Sequence, residues 1–401
     1  MRVIDCSRVL AGPYCAVLLG HLGAEVIKVE HPGGDEGRTW PPHRDDMSAS
    51  FLALNVGKRS VVVDLDTAEG PGVVADLAAG SDVLIENFKA GSMERFGLGF
   101  EALSRRNPRL VYVSVSAFGP DGPRAAEPGY EAVVQAYSGV MAATGEPGGG
   151  PVRTGPSVLD MGTGALTAFA TVAALLRRER SGVGGRVEGS LLATAMGLMS
   201  NLMSNHLQHG GGPARLGSAH PQLVPYQAFE AADGHVFMAA GNDNLYRRLC
   251  DALGRPDLAT DPRFVANGSR VRNREACVAE IAAVVRDRAV LDVVSELRGR
   301  GVPVSPVNDF EALVADGQLD HTGVLAEGDD PAYGRFVVPA LPVRLDGSDV
   351  ATVDPAPRLG ADTESVLRDV LGYDEERIAG LFELGAVGGT RSSQPARRRG
   401  R

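Results

Sequence analysis

The sequence predicts an α/β fold built on a parallel sheet and followed by a smaller domain, and three observations carry that expectation. Short β-branched runs alternate with helix-period segments over the first 120 residues. The texture changes after residue 225 to a hairpin followed by helices. At 401 residues the chain is longer than one typical domain.

Residues 3–5, 25–29, 60–65, 83–86 and 110–116 read as strands, rich in Val and Ile. Between them, 14–22, 68–79 and 92–105 carry apolar residues at helical spacing. Strand–helix–strand repetition implies a sheet covered on both faces, which binds ligands beyond the carboxyl ends of its strands. The loops 7–13, 31–42, 86–91 and 117–130 are therefore the first places to look for function. A Gly- and Pro-rich segment, 145–156, overlaps the turn Arg153-Thr-Gly-Pro-Ser-Val-Leu-Asp160-Met-Gly-Thr-Gly164, which runs into an Ala/Leu-rich stretch reaching residue 180. A second helical stretch, 190–208, has few charges and several methionines, a composition suited to core or subunit contact. The glycines of 210–217 read as a hinge. Beyond them, Asp233-Gly234 turns a hairpin over 225–240, helices follow at 243–253, 275–287 and 291–299, and 302–307 is a strand. Helices near 363–371 and 374–384 complete the pattern. The expected division is a large domain over 1–200, a linker over 201–224, a small domain over 225–330, a C-terminal segment over 331–387 and a solvated Arg-rich tail over 388–401.

Composition narrows the function classes. The net charge of −10 argues against a general nucleic-acid binder, and 44% apolar with 22% charged residues is ordinary for a soluble globular protein. Cys6, Cys15, Cys250 and Cys277 lie far apart with no C-x-x-C spacing, which suits a reducing cytoplasm better than a disulfide framework or a zinc site. With neither an apolar leader nor an uninterrupted apolar run of membrane length, the chain is expected to have no membrane span. The chain has no P-loop, and its histidines show no metal-ligand spacing, so no metal site is expected.

Asp160 is the leading candidate for chemistry. A lone carboxylate among small residues leaves room for a substrate, and an ionised Asp can attack an activated acyl group without a helper base. Its place where a turn enters a helix predicts that it stays ionised, since helix N-termini favour negative charge by roughly 0.3–1 kcal/mol. Ser157 and Asp160 also fit a capping box, a purely structural role.

Further motifs carry a resemblance. Arg8-Val-Leu-Ala-Gly-Pro13 is followed by Leu22-Gly-Ala-Glu-Val-Ile-Lys-Val-Glu30, then Asn55-Val-Gly-Lys-Arg59 with Asp64-Leu65. Asp82-Val-Leu-Ile-Glu-Asn-Phe88 precedes Arg95-Phe-Gly97 and Tyr130-Glu-Ala-Val-Val-Gln-Ala-Tyr-Ser-Gly139. After the Asp160 turn come Gly185-Arg-Val-Glu-Gly-Ser190, Pro225-Tyr226 and Gly301-Val-Pro-Val-Ser-Pro-Val307. In this order the chain resembles the class III coenzyme A transferases, the family of formyl-CoA and carnitine CoA-transferases, over about residues 3–385.

The resemblance implies a CoA transferase that uses acyl-CoA and a free carboxylic acid as substrates, needs no resident cofactor or metal, and passes through an aspartyl-CoA thioester on Asp160. It implies CoA contacts from Arg8, Ala11, Arg38, Lys58, Asn87, Phe88, Arg95 and Tyr130, with Glu131, Gly241 and Asn242 near the substrate or in a closing loop. Backbone N–H groups of 161–164 are candidate oxyanion donors, and Arg124 and Arg153 are candidates for the acceptor carboxylate. The fold implied is a Rossmann-like large domain with a smaller α+β domain, in a homodimer of two interlocked rings. Two alternatives remain: an α-methylacyl-CoA racemase-like isomerase, and a silent member of the fold. Racemases place a histidine where this chain has Tyr130, and a tyrosine of ordinary pKa about 10 is a poor base. Pro128 and Leu10 replace the lysine and glutamine of formyl-CoA transferases, which puts formyl specificity in doubt. Gly360-Ala-Asp-Thr363 likewise departs from the relatives' Gly-x-His-Thr.

Overall fold

The computed structural model describes residues 1–344 and 353–389. Six parallel strands form the large sheet: β1 (Arg2–Asp5), β2 (Glu25–Glu30), β3 (Arg59–Val63), β4 (Val83–Glu86), β5 (Val111–Ser116) and β6 (Gly185–Ser190). Their order is β3-β2-β1-β4-β5-β6, and Val387–Gly388 adds an antiparallel seventh strand beside β3. This is the order of a doubly wound nucleotide-binding sheet, and it reverses direction between β1 and β4.

The strands are apolar on both sides because helices cover both faces. Alternate residues of one strand serve opposite layers. Ile4, Ile27, Val61, Leu84 and Tyr112 pack with Val73, Val74 and Leu77, and with Val366, Leu367 and Ile378 from near the C-terminus. Val3, Val26, Val83, Val111 and Val113 pack with Cys15, Leu18 and Leu19 of helix α1 (Ala11–His21) and with Ala168 and Ala174.

Contacts divide the chain into two compact units. The first holds Met1–Ser138, Thr154–Ser204 and Leu319–Arg401, and the second holds Gly139–Arg153 and Asn205–Gln318. Gly139–Arg153 joins the second unit although it falls inside the expected large domain, because Gly145 O accepts from Gly217 N at 2.9 Å and Ala142 O from Arg215. The second unit has its own antiparallel sheet, with Gly234–Ala239 between Tyr226–Ala231 and Val304–Pro306. Its core contains a fully buried Arg270, whose guanidinium bonds Val224 O, Phe264 O, Gly241 O and Asp243 and lies 4.3 Å from the Tyr246 ring centroid.

Several local expectations differ from the structure. The helix expected over 92–105 is two short ones, Ser92–Arg95 and Phe100–Arg106, because Gly97 takes φ 70° between them. The 190–208 stretch divides at Met199 into Leu191–Leu198 and Ser200–His209. The antiparallel pair Leu325–Asp330 and Gly334–Pro339 is not legible in the sequence pattern. The part of the expected C-terminal tail from residue 390 onward lies outside the described residues.

Candidate active site

The carboxyl ends of β1, β4, β5 and β6 open onto one groove of about 370 Å³, lined entirely by residues of the first unit. At the reversal point the β1 and β4 loops are tied together. Asn87 Oδ1 accepts from Arg8 N at 2.9 Å, and Asn87 Nδ2 donates to Arg8 O at 2.8 Å. The clamp adjoins Val9, whose φ of 70° is a strained conformation for a β-branched residue and costs on the order of 1–3 kcal/mol. Asp35 Oδ1 accepts from Val9 N at 3.2 Å and helps hold it there. Arg8 is exposed, sits 5.4 Å from the Phe88 ring centroid and forms no ion pair among the described residues, so its guanidinium is available to an anion.

The floor comes from two helices, α2 (Glu131–Ser138) and α3 (Val158–Ser181), with the first turn of α3 carrying Asp160. Ser157 is the N-cap but makes no side-chain cap bond. The cap is supplied by a neighbouring helix: Glu131 Oε1 accepts from Leu159 N at 3.1 Å and from Gln135 Nε2 at 2.9 Å. The capping-box role of Ser157 and Asp160 is therefore corrected. Asp160 lines the groove at 9% exposure, with no described residue hydrogen-bonding its carboxylate.

The expected ionisation of Asp160 is corrected too. Burial, followed by the charge of Glu131, pushes its pKa up to about 7. A helix N-terminus contributes at most about 2 kcal/mol in the other direction, and each pKa unit is about 1.4 kcal/mol, so desolvation wins.

The glycines after Asp160 serve packing. A Cβ on Gly164 would lie 2.6 Å from Ala11 O and 3.0 Å from the Tyr14 ring, and one on Gly162 would lie 3.0 Å from Thr194 Cγ2. They let α3 approach α1 and the helix Leu191–Leu198. Residues 161–164 are helical, and Met161 N already donates to Ser157 O at 3.0 Å. Their N–H groups belong to the helix ladder and are not oxyanion donors.

The structure brings Arg8, Ala11, Asn87, Phe88, Tyr130, Glu131 and Asp160 to one groove, with Tyr130 at 64% exposure. Lys58 is elsewhere, and its assignment to CoA is corrected. Its buried ammonium bonds Asp5 Oδ2 at 2.8 Å, Asn55 Oδ1 at 2.9 Å and Pro13 O at 3.0 Å, which uses all three donors. Arg38 is likewise engaged, forked on Glu30 at 2.8 and 2.7 Å, bonded to Pro357 O and stacked on Phe51. Arg95 is exposed beside Phe96, just past groove residues Met93 and Glu94. Arg124 pairs with Glu127 at 2.7 Å and stacks on Tyr137. Gly241 and Asn242 belong to the second unit, as does Arg153. There Asn242 caps a helix by accepting from Leu245 N, and Gly241 O is held by Arg270. Arg186 and Glu188 of β6, paired at 3.1 Å, also line the groove; sequence reasoning misses them because the pattern of 185–190 does not read as a strand.

Comparison with known proteins gives a consistent result. The model of CoA-transferase family III matches residues 1–363. Succinyl-CoA:glutarate CoA-transferase of Mus musculus is 36% identical over 96% of this chain and 89% of its own length. Succinate–glutarate CoA-transferase of Agrobacterium fabrum is 38% identical over 92% of this chain and 94% of its own. A CaiB/BaiF family protein of Brucella suis superposes with a TM-score of 0.83 at 36% identity, covering 92% of this chain and 98% of that one.

Proposed function

The chain belongs to CoA-transferase family III and is a CoA-transferase, and from that premise we propose that Asp160 is the nucleophile that carries CoA between acids. The ionised carboxylate attacks the thioester carbonyl of a donor acyl-CoA. The C–S bond breaks, giving a mixed anhydride on Asp160 and CoA thiolate. The thiolate attacks the Asp160 carbonyl of that anhydride, which releases the donor acid and leaves an aspartyl-CoA thioester. An acceptor carboxylate then runs the two steps in reverse, leaving as its CoA thioester and restoring the Asp160 carboxylate. The observation that carries this reading is a carboxylate on the groove floor with no hydrogen-bond partner among the described residues. Arg8, Asn87, Phe88 and Tyr130 line the path of CoA, and Arg8 is the phosphate contact.

The donor is of the succinyl-CoA type and the acceptor a dicarboxylic acid, as the names of the mouse and Agrobacterium relatives suggest. Incubating the protein with succinyl-CoA and a panel of dicarboxylic, hydroxy and aromatic acids tests this. New acyl-CoA species should form first with glutarate-like acids. Exchange restricted to monocarboxylic or aromatic acceptors would refute the substrate class.

Because the nucleophile must be ionised, formation of enzyme-bound CoA in a single turnover should rise with pH through about 7 and level off above it. A rate that is flat from about pH 5 to about pH 9 would contradict the role of Asp160.

We also assign the protein to a homodimer. By length and composition alone α3 is apolar enough to cross a membrane. Its inner face, however, buries Asp160, Thr163, Thr167, Thr171 and Arg178 against the first unit. Leu166, Phe169, Val172 and Leu176 form an exposed stripe at helical spacing, with Phe169 at 75% exposure. A second copy is the occupant we infer. Sedimentation velocity should give a dimer for the native chain and a monomer-shifted equilibrium for Phe169→Arg. A native monomer at micromolar concentration would rule it out.

A further inference from the structure

Gln135 lies outside the groove, yet it bonds two of the segments that set up Asp160. We propose that Gln135 is a positioning residue of the transfer reaction: it fixes the Glu131 carboxylate at the N-terminus of α3 and so holds a negative charge beside Asp160. The inference rests on the reading of Asp160 as nucleophile.

Among the described residues the side chain of Gln135 makes three hydrogen bonds. Gln135 is completely buried, one helical turn after Glu131. Its Nε2 donates to Glu131 Oε1 at 2.9 Å and to Thr154 Oγ1 at 2.7 Å, and its Oε1 accepts from Thr154 N at 3.0 Å. A backbone N–H can only donate, so the amide oxygen must face Thr154 N and the NH₂ group must face Glu131. Thr154 Oγ1 passes the chain on to Pro156 O at 3.0 Å. The amide thus joins α2 to the segment that enters α3, and one of its two N–H groups is directed at the same carboxylate oxygen that caps Leu159 N.

The two donors hold Glu131 Oε1 against the first turn of α3. After burial, the carboxylate held there is the second cause that raises the pKa of Asp160. Other charged groups around the groove come from the first loop (Arg8, Glu36), the β4 end (Glu86, Lys89, Glu94), the loop before α2 (Glu127) and β6 (Arg186, Glu188). Among all these, Glu131 is the charge that acts on Asp160. The repulsion has a catalytic consequence. Asp160 is charged before attack and neutral as anhydride or thioester, so a fixed neighbouring carboxylate destabilises the free form more than the acylated one.

The experiment reads the titration of Asp160 itself in the full chain, by ¹³C NMR of carboxyl-labelled aspartate. The resonance is assigned by its loss in Asp160→Asn. Glu131→Gln, which keeps an oxygen for Leu159 N and removes the charge, gives the midpoint without repulsion. Gln135→Met, similar in length and unable to hydrogen-bond Glu131, should move the midpoint down by about one pH unit toward that value. The acidic limb of single-turnover CoA capture should move with it. A Gln135→Met midpoint equal to the native one, or a Glu131→Gln midpoint unshifted, overturns the proposal. If Gln135→Met does not fold, Thr154→Val removes one anchor of the amide and should give a smaller shift in the same direction. No shift in that variant overturns the proposal as well. Retained exchange in Asp160→Asn would instead defeat the nucleophile reading, which separates the two failures.

Discussion

Asp160→Asn should lose exchange by at least about a thousandfold while the folded protein becomes more stable at pH 8. The amide has the shape of the carboxylate and suits the first turn of a helix, but it cannot attack a thioester. Stability moves the other way because the native site disfavours the charged form. The folded pKa, about 7, lies above the ordinary value of 3.8. The folded state therefore binds the proton more tightly than the unfolded chain, and native stability falls as pH rises from about 4 to about 7. Asparagine carries no such penalty. Its advantage should be on the order of 1–3 kcal/mol at pH 8 and should disappear near pH 4. Thermal melts across that range, paired with an exchange assay, check both halves. Borohydride treatment after addition of donor acyl-CoA should modify the native protein at Asp160 and leave Asp160→Asn unmodified. Turnover by the Asp160→Asn protein, with its mass confirming that the amide has not reverted to the acid, would end the covalent mechanism.

Lys58→Met is expected to destabilise the first unit by about 3–5 kcal/mol, the usual result of deleting one partner of a buried ion pair. The ammonium lies at the centre of a buried set of charges. It pairs with Asp5 at 2.8 Å, while Lys28 pairs with Asp35 at 2.8 Å and donates to Ser7 O at 3.0 Å. Removing it leaves Asp5, at the carboxyl end of β1, short of a cation with no access to water. Asp5 also accepts from Ser7 N at 3.0 Å, just before the Arg8–Val9 turn, so the loss reaches the base of the groove. The variant separates a core residue from a CoA contact. A core lysine gives a lower melting temperature and an unchanged KM for acyl-CoA in the protein that remains folded. A raised KM with an unchanged melting temperature would restore Lys58 to the phosphate path.

The strands are most legible in the sequence where burial leaves little choice of residue. Val3–Asp5, Val26–Val29, Val61–Val63 and Val83–Ile85 are buried on both faces because the sheet is covered on both faces, and apart from Asp5 and Lys28 they are apolar. β6 is hidden by two glycines and two charges, as expected of an edge strand in which only Val187 is buried. The pair at 325–339 is hidden by the acidic run Glu327–Asp330, whose turn relies on Asp330 accepting from Ala332 N and Tyr333 N. Loop position after a strand is enough to find Arg8, Asn87 and Phe88. It is not enough for Arg38, nor is the resemblance enough for Lys58, since a long basic side chain can reach into the core as easily as into the groove.

What the sequence determined alone is therefore local: a βα-repeating sheet, the loops at its carboxyl edge, and an aspartate where a long helix begins. Backbone hydrogen bonding and side-chain period set these, and both act over a few residues. The tertiary structure alone decided which cations stay inside, that Glu131 rather than Ser157 caps α3, and how tightly Asp160 holds a proton. Those outcomes depend on water being excluded and on charges being brought together by parts of the chain far apart in sequence, and neither is encoded in any one segment.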